Sequence, residues 1–248
     1  MEQKNRTAVV VAIGIVILAA VFLSFGFPAL TNSIPEVTLP DLSASGDLAP
    51  GGENALPLEV TPETVQSVVA TLERPENYER SLTVTLCWGE SGSAASTVRV
   101  WADAPFVQTE VTAPNGEVQN RLVGEDTLAF WYNGDSRWKE RPLEGESAAG
   151  DLAQRIPTYE DILALEPSQI TEAGYQSKNG HNCVYVQAQI GDDFERYWVE
   201  TATGLLYAAE TVSGGKVVYS MTETARSAPM SESHRFALPD GTVLHESE

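Results

Sequence analysis

The side chains from which hydrolytic, redox or metal chemistry would have to be built are few in kind. They are three histidines (His181, His234 and His245), two cysteines (Cys87 and Cys183) and 35 acidic residues. His181 sits in the turn Lys178-Asn179-Gly180-His181-Asn182, the other two lie near the C-terminus, and none has a partner at metal-ligand spacing. No GxSxG, HExxH, glycine-rich phosphate loop or EF-hand pattern occurs. The carboxylates are scattered, so a catalytic acid–base pair would have to be assembled by folding from distant positions. No catalytic residue, metal ligand or cofactor is therefore expected, and the chain reads as a non-enzyme.

The cysteines admit a different chemistry. Nothing around Cys87 or Cys183 resembles a CxxC pair, but two cysteines in an oxidising compartment can be joined. In the strand-like stretch 81–90, Leu82, Val84, Leu86 and Trp88 share one face and Cys87 lies on the other with Thr83 and Thr85. In 182–190, Val184, Val186, Ala188 and Ile190 share a face and Cys183 again sits opposite. This common parity permits a Cys87–Cys183 disulfide, with two free thiols as the alternative. The aromatic residues carry a second signal. Phe130, Trp131, Tyr132 and Trp138 crowd one hairpin, and Tyr197 with Trp198 lies on a later strand. Consecutive aromatics on a strand face opposite sides of the sheet. One set fills the core; the other is either covered as well or lines a cleft.

The elements that must position these residues begin with an anchor. Met1 to Arg6 is short and polar, and the twenty residues from Ala8 to Phe27 carry no charge. At about 1.5 Å per helical residue they match a bilayer core of roughly 30 Å. Lys4 and Arg6 precede the run and the next basic residue is Arg74, so residues 1–7 are expected in the cytoplasm and the rest outside. The run is longer than a secretory signal's apolar core, and it ends in Phe25-Gly26-Phe27-Pro28 without small residues at a cleavage site. Residues 8–28 are thus expected to form a transmembrane signal-anchor, which places the chain on the cell membrane as a single-pass protein. Residues 29–60, rich in Pro, Ser, Gly and acidic residues, read as a flexible linker.

The folded part, residues 61–225, opens with a helix. Thr61 suits the N-cap, Pro62 the first turn, and Val65, Val68, Val69 and Leu72 form one apolar stripe before Pro75. The period then changes to two. Strands are predicted over 81–90, 95–103, 106–113, 117–123, 127–133, 137–141, 182–190, 195–200, 205–212 and 216–224, joined by turns such as Pro114-Asn115-Gly116 and Ser213-Gly214-Gly215. One helix interrupts them at 157–165. The expected class is mainly β with a few helices: a curved antiparallel sheet or half-open barrel, helices covering its concave side, after one transmembrane helix. Residues 226–248 form a tail in which Phe236 and Leu238 either add an edge strand or stay loose. A net charge of −20 repels nucleic acid and anionic headgroups, which excludes a nucleic-acid partner.

Three stretches together resemble the LolA/LolB-like and RseB-like lipoprotein-carrier domains. They are the Pro-Phe step Asp103-Ala104-Pro105-Phe106, the hairpin from Leu122 through Glu125-Asp126 to Phe130-Trp131-Tyr132, and the run from Tyr197-Trp198-Val199-Glu200 through Thr203-Gly204-Leu205 to Glu210. The resemblance implies a half-barrel wrapped around helices that holds acyl chains or docks partner proteins in its apolar concavity. It also implies candidate ligand-binding residues at the motif positions: Phe130, Tyr132, Tyr197, Trp198 and Tyr219. Where the family's carriers often place an arginine after the Pro-Phe step, this chain has Val107 and Gln108. A tethered domain holds or senses a lipid rather than ferrying it. The expectation is a lipid, lipopeptide or other hydrophobic ligand, with a protein-interaction module in envelope or sporulation regulation as the alternative.

Overall fold

Two-residue alternation is strong enough from Asn77 onward to make nearly the whole domain a single antiparallel ladder. A computed structural model describes residues 59–143 and 156–247. The 8–28 anchor, and the 29–60 linker apart from its last two residues, lie outside the described residues. Among the described residues no helix is long and apolar enough to cross a membrane. The strands are β1 (Asn77–Trp88), β2 (Gly92–Asp103), β3 (Phe106–Thr112), β4 (Val118–Val123), β5 (Thr127–Tyr132) and β6 (Lys139–Pro142), then β7 (Ile170–Lys178), β8 (His181–Ile190), β9 (Asp193–Glu200), β10 (Leu206–Ser213) and β11 (Lys216–Ser227). Their order across the sheet is β6-β5-β4-β3-β2-β1-β11-β10-β9-β8-β7. Each half is a plain meander. The halves meet where β1 pairs with β11, with Val84 opposite Met221 and Leu86 opposite Tyr219.

One face of this curved, open sheet carries the core. Leu82, Val98, Val100, Val107, Val123, Leu128, Val184, Val186, Val199, Leu206 and Met221 pack in one cluster that reaches from β5 to β8. Helix α1 (Val65–Thr71) buries Val65, Val68 and Val69 against it, and helix α2 (Tyr159–Leu163) buries Ile162. Each fully buried Val or Leu side chain contributes about 1.5–3 kcal/mol of transfer free energy. The two helices are tied together by Gln66, whose Nε2 donates to the carbonyls of Ile162 (3.0 Å) and Leu165 (2.8 Å). The hydrogen-bonded turn leading into α1 starts at the Thr61 carbonyl, as the capping pattern implies, while the helix itself begins at Val65.

The opposite face is covered in part by the tail. Residues 226–247 neither add an edge strand nor stay loose. β11 runs on to Ser227, and β12 (Arg235–Ala237) and β13 (Val243–Glu246) form a separate two-stranded sheet. Phe236 is fully buried in a cluster with Trp101, Leu122, Ala129 and Trp131. Those four residues are the outward-facing set of β2, β4 and β5, a large apolar area that water would otherwise meet, so the tail packs flat on it. Strand β7 also departs from expectation. Ile170–Lys178 is an edge strand mostly exposed on both faces, so it has no alternation to read.

Candidate functional site

On the core face, register sets side chains of successive strands in rows. One row runs Ala188, Glu195, Thr211, Tyr219 and Leu86 across β8, β9, β10, β11 and β1. The next runs Val186, Tyr197, Ala209, Met221 and Val84. Where these rows meet the start of α2, a cavity of about 430 Å³ opens, lined by Ile156, Pro157, Asp161, Ile190, Glu195, Tyr197, Thr211 and Tyr219. Asp161 is set by the start of α2, where its Oδ2 accepts the Thr158 amide at 2.7 Å. Glu195 accepts from Thr211 Oγ1 at 2.9 Å. Beyond the cavity the apolar surface comes into the open: Leu86 is 53% exposed, Trp88 57% and Ile190 43%.

The electrostatics follow from burial. Removal from water pushes both carboxyls, Asp161 and Glu195, above the usual carboxylate range, and Glu195 is raised further by the nearby acids Asp193 and Asp161. Burial, then the negative charges of Glu195 and Asp161, drives the Tyr197 and Tyr219 phenols well above their ordinary value, so both stay protonated donors. The arrangement suits binding: an apolar wall with a few convergent polar groups.

Of the residues singled out from the sequence, the structure brings Tyr197 and Tyr219 together in this cavity. Phe130 and Tyr132 lie on the same sheet face, in edge-to-face contact at 5.3 Å, but on β5 far along the other wing. Trp198 points to the opposite face, where it packs with Cys183, Tyr185 and Tyr207. Asp161 and Glu195 were not among the sequence candidates. A usable signal existed for Glu195, which shares strand parity with the core residues Tyr197 and Val199, where an exposed-face charge has no place.

The Cys87–Cys183 disulfide is corrected. Both cysteines are free, Cys87 half-buried and Cys183 buried. The shared parity was read rightly, but β11, β10 and β9 lie between β1 and β8. Four strand spacings put roughly 19 Å between the chains, against the ~5.5 Å Cα separation a bridge needs. Burial, and then Glu200, pushes the Cys183 thiol up to about 11. Among the described residues no group of three His, Cys, Asp or Glu side chains is placed to hold a metal ion.

A second polar constellation lies where the ends of β1, β8, β9 and β11 come together. Arg80 and Arg226 both approach Glu223, at 3.9 and 3.5 Å, Arg226 also bonds Glu200, and His181 Nδ1 lies 2.6 Å from Glu200 Oε1. Burial raises Glu223. Glu200 is held low against the upward pull of its own burial by hydrogen bonds from His181, Thr203 and Arg226. These charges compensate one another across four strands and read as structural.

No family model matches the chain, and no curated protein does. Solved structures do. The likeness is one of fold. It includes the Mycobacterium tuberculosis lipoprotein LppX, at 15% identity and TM-score 0.36 over 65% of this chain and 91% of that one. A LolA superfamily protein from Nitrosomonas europaea matches at 12% identity and TM-score 0.32, over 67% and 93%. MucB in the Pseudomonas aeruginosa MucA/MucB complex matches at 16% identity and TM-score 0.30, over 61% and 51%. The chain therefore spans about half the length of the MucB chain it matches.

Proposed function

We propose that this chain is a non-enzymatic, membrane-tethered extracytoplasmic domain that binds a lipid, lipopeptide or other hydrophobic ligand in its half-barrel cleft. The observation that carries the reading is the cavity of about 430 Å³ on the core face, continuing into exposed Leu86, Trp88 and Ile190. The hollow is open to solvent, and it sets the apolar side chains of Ile156, Pro157 and Ile190 beside the polar groups of Asp161, Glu195 and Thr211. Its volume falls within the range of small-molecule sites, and the apolar strip at its mouth offers a ligand's hydrocarbon continuous cover. The uncharged 8–28 segment supplies the tether.

Native mass spectrometry of the gently purified full-length chain tests this. The expected spectrum shows a stoichiometric adduct of several hundred daltons that is lost on organic extraction. A clean apo mass that membrane lipid extract leaves unchanged would transfer the assignment to a protein-interaction module in envelope or sporulation regulation. The exposed strip of Leu86 and Trp88 supports that second reading, since a partner's apolar side chains would cover it equally well.

A further inference from the structure

The polar end of the cavity is chemically one-sided. Its lining residues include two carboxylates and two phenols but no lysine, arginine or histidine. The phenol of Tyr197 belongs to a side chain only 6% exposed, and it has no hydrogen-bond partner among the described residues although it lines the open space. Its oxygen is not among the polar atoms closed off from solvent, so the hydroxyl faces the open space and is available to what enters. The two carboxylates are each engaged through one oxygen only: Glu195 Oε2 by Thr211 and Asp161 Oδ2 by the Thr158 amide. Glu195 Oε1 and Asp161 Oδ1 are left for whatever enters.

On the reading that the cleft holds a hydrophobic ligand, we infer that this ligand ends in a protonated amine: a long-chain alkylamine, not a fatty acid or a phosphate-headed lipid. An ammonium offers three donors and no acceptor, matching two open carboxylate oxygens and the oxygen of Tyr197. Its charge compensates the two carboxylates, which burial otherwise disfavours as anions, and the aromatic faces of Tyr197 and Tyr219 attract a cation further. An anionic headgroup would meet like charge with no basic residue to offset it. The chain's net charge of −20 works in the same direction, concentrating cations and repelling anions at its surface.

The test is isothermal titration of the full-length chain in neutral detergent at pH 7 with octylammonium, 1-octanol and octanoate. These three probes share a hydrocarbon body and differ only in the polar end. Octylammonium is expected to bind about tenfold more tightly than octanol, a difference of about 1.4 kcal/mol, with octanoate weakest. Glu195→Gln is expected to bring octylammonium and octanol to equal affinity, and Tyr197→Phe to narrow the gap between them; partitioning into detergent cancels between proteins. Melting temperatures report whether each variant is folded, and if neither is, the wild-type order of the three probes decides. Equal binding of octanol and octylammonium, or a preference for octanoate, would overturn the amine assignment and leave the hydrophobic cleft standing. Binding of none of the three would overturn both.

Discussion

Gly204 holds φ at +63° in the turn between β9 and β10, a left-handed conformation that side chains with a Cβ resist. A methyl group there would come within 2.7 Å of the Glu73 carbonyl oxygen and 2.9 Å of Arg74 Cγ. The close approach is the docking point of α1 on the sheet: Arg74 Nε donates to the Gly204 carbonyl at 3.1 Å while its guanidinium lies over the Tyr159 ring. Gly204→Ala is expected to destabilise the domain by about 2–4 kcal/mol, seen as a lower urea midpoint at unchanged slope. His234 supplies a second prediction. Its ring stacks on Trp101 at 4.5 Å, and burial, then Arg99, lowers its pKa to about 4. The folded state thus prefers the neutral ring, whereas the unfolded chain takes up a proton near the ordinary value of about 6.5. This contribution is whole above pH 6.5 and is lost as pH falls from there to about 4. His234→Phe, which keeps an aromatic ring on Trp101 but cannot titrate, should lose less stability over that interval in urea unfolding at stepped pH.

At the scale of elements, the C-terminal hairpin is the piece whose stability is least its own. A two-stranded ribbon is marginal in water, so β12 and β13 persist because Phe236 inserts between Trp101, Leu122, Ala129 and Trp131. Ring contacts extend the seal, with His245 stacked on Phe106 at 4.6 Å and bonded to Asp103 at 2.7 Å. Phe236→Ala should cost about 3–5 kcal/mol and release the hairpin, shifting tryptophan emission to the red as Trp101 and Trp131 meet water. An unshifted emission spectrum in the variant would show that the hairpin is not held by this side chain. The sequence does not announce the hairpin, because only Phe236 of its two short strands is buried and the residues it packs on lie more than a hundred positions upstream.

For the whole molecule, the decisive event is the pairing of β1 with β11, which joins two meanders into one eleven-stranded sheet. That order keeps the two cysteines on strands that never adjoin. Without reductant the chain is expected to titrate two thiols after denaturation, with Cys87 alone reacting readily in the native state. Cys183 is buried and its thiol raised to about 11, which starves it of reactive thiolate. Maleimide labelling read by intact mass checks this, and a mass about two units low before reduction would contradict the sheet order. Within the second meander, the pairing of β10 with β11 and with β9 sets Tyr219 beside Thr211 and hence near Glu195, so the candidate site exists only once that meander has folded.

Period-two alternation, turn residues and the α1 stripe were enough to read a curved antiparallel sheet with a helix before it and another within it, because those signals are local and repeat every few residues. Local parity also set both cysteines on the face opposite their strands' apolar residues. Parity carries no information about which strands become neighbours, so the cysteine distance and the separation of Phe130 and Tyr132 from the cavity belong to tertiary structure, whereas the opposite facing of Tyr197 and Trp198 follows from alternation alone. The acidic end of the cavity belongs there too. Asp161 comes from a five-residue helix and Glu195 from a strand beyond two intervening strands of sequence, and only the packing of that helix on that sheet face brings their charges to one open hollow.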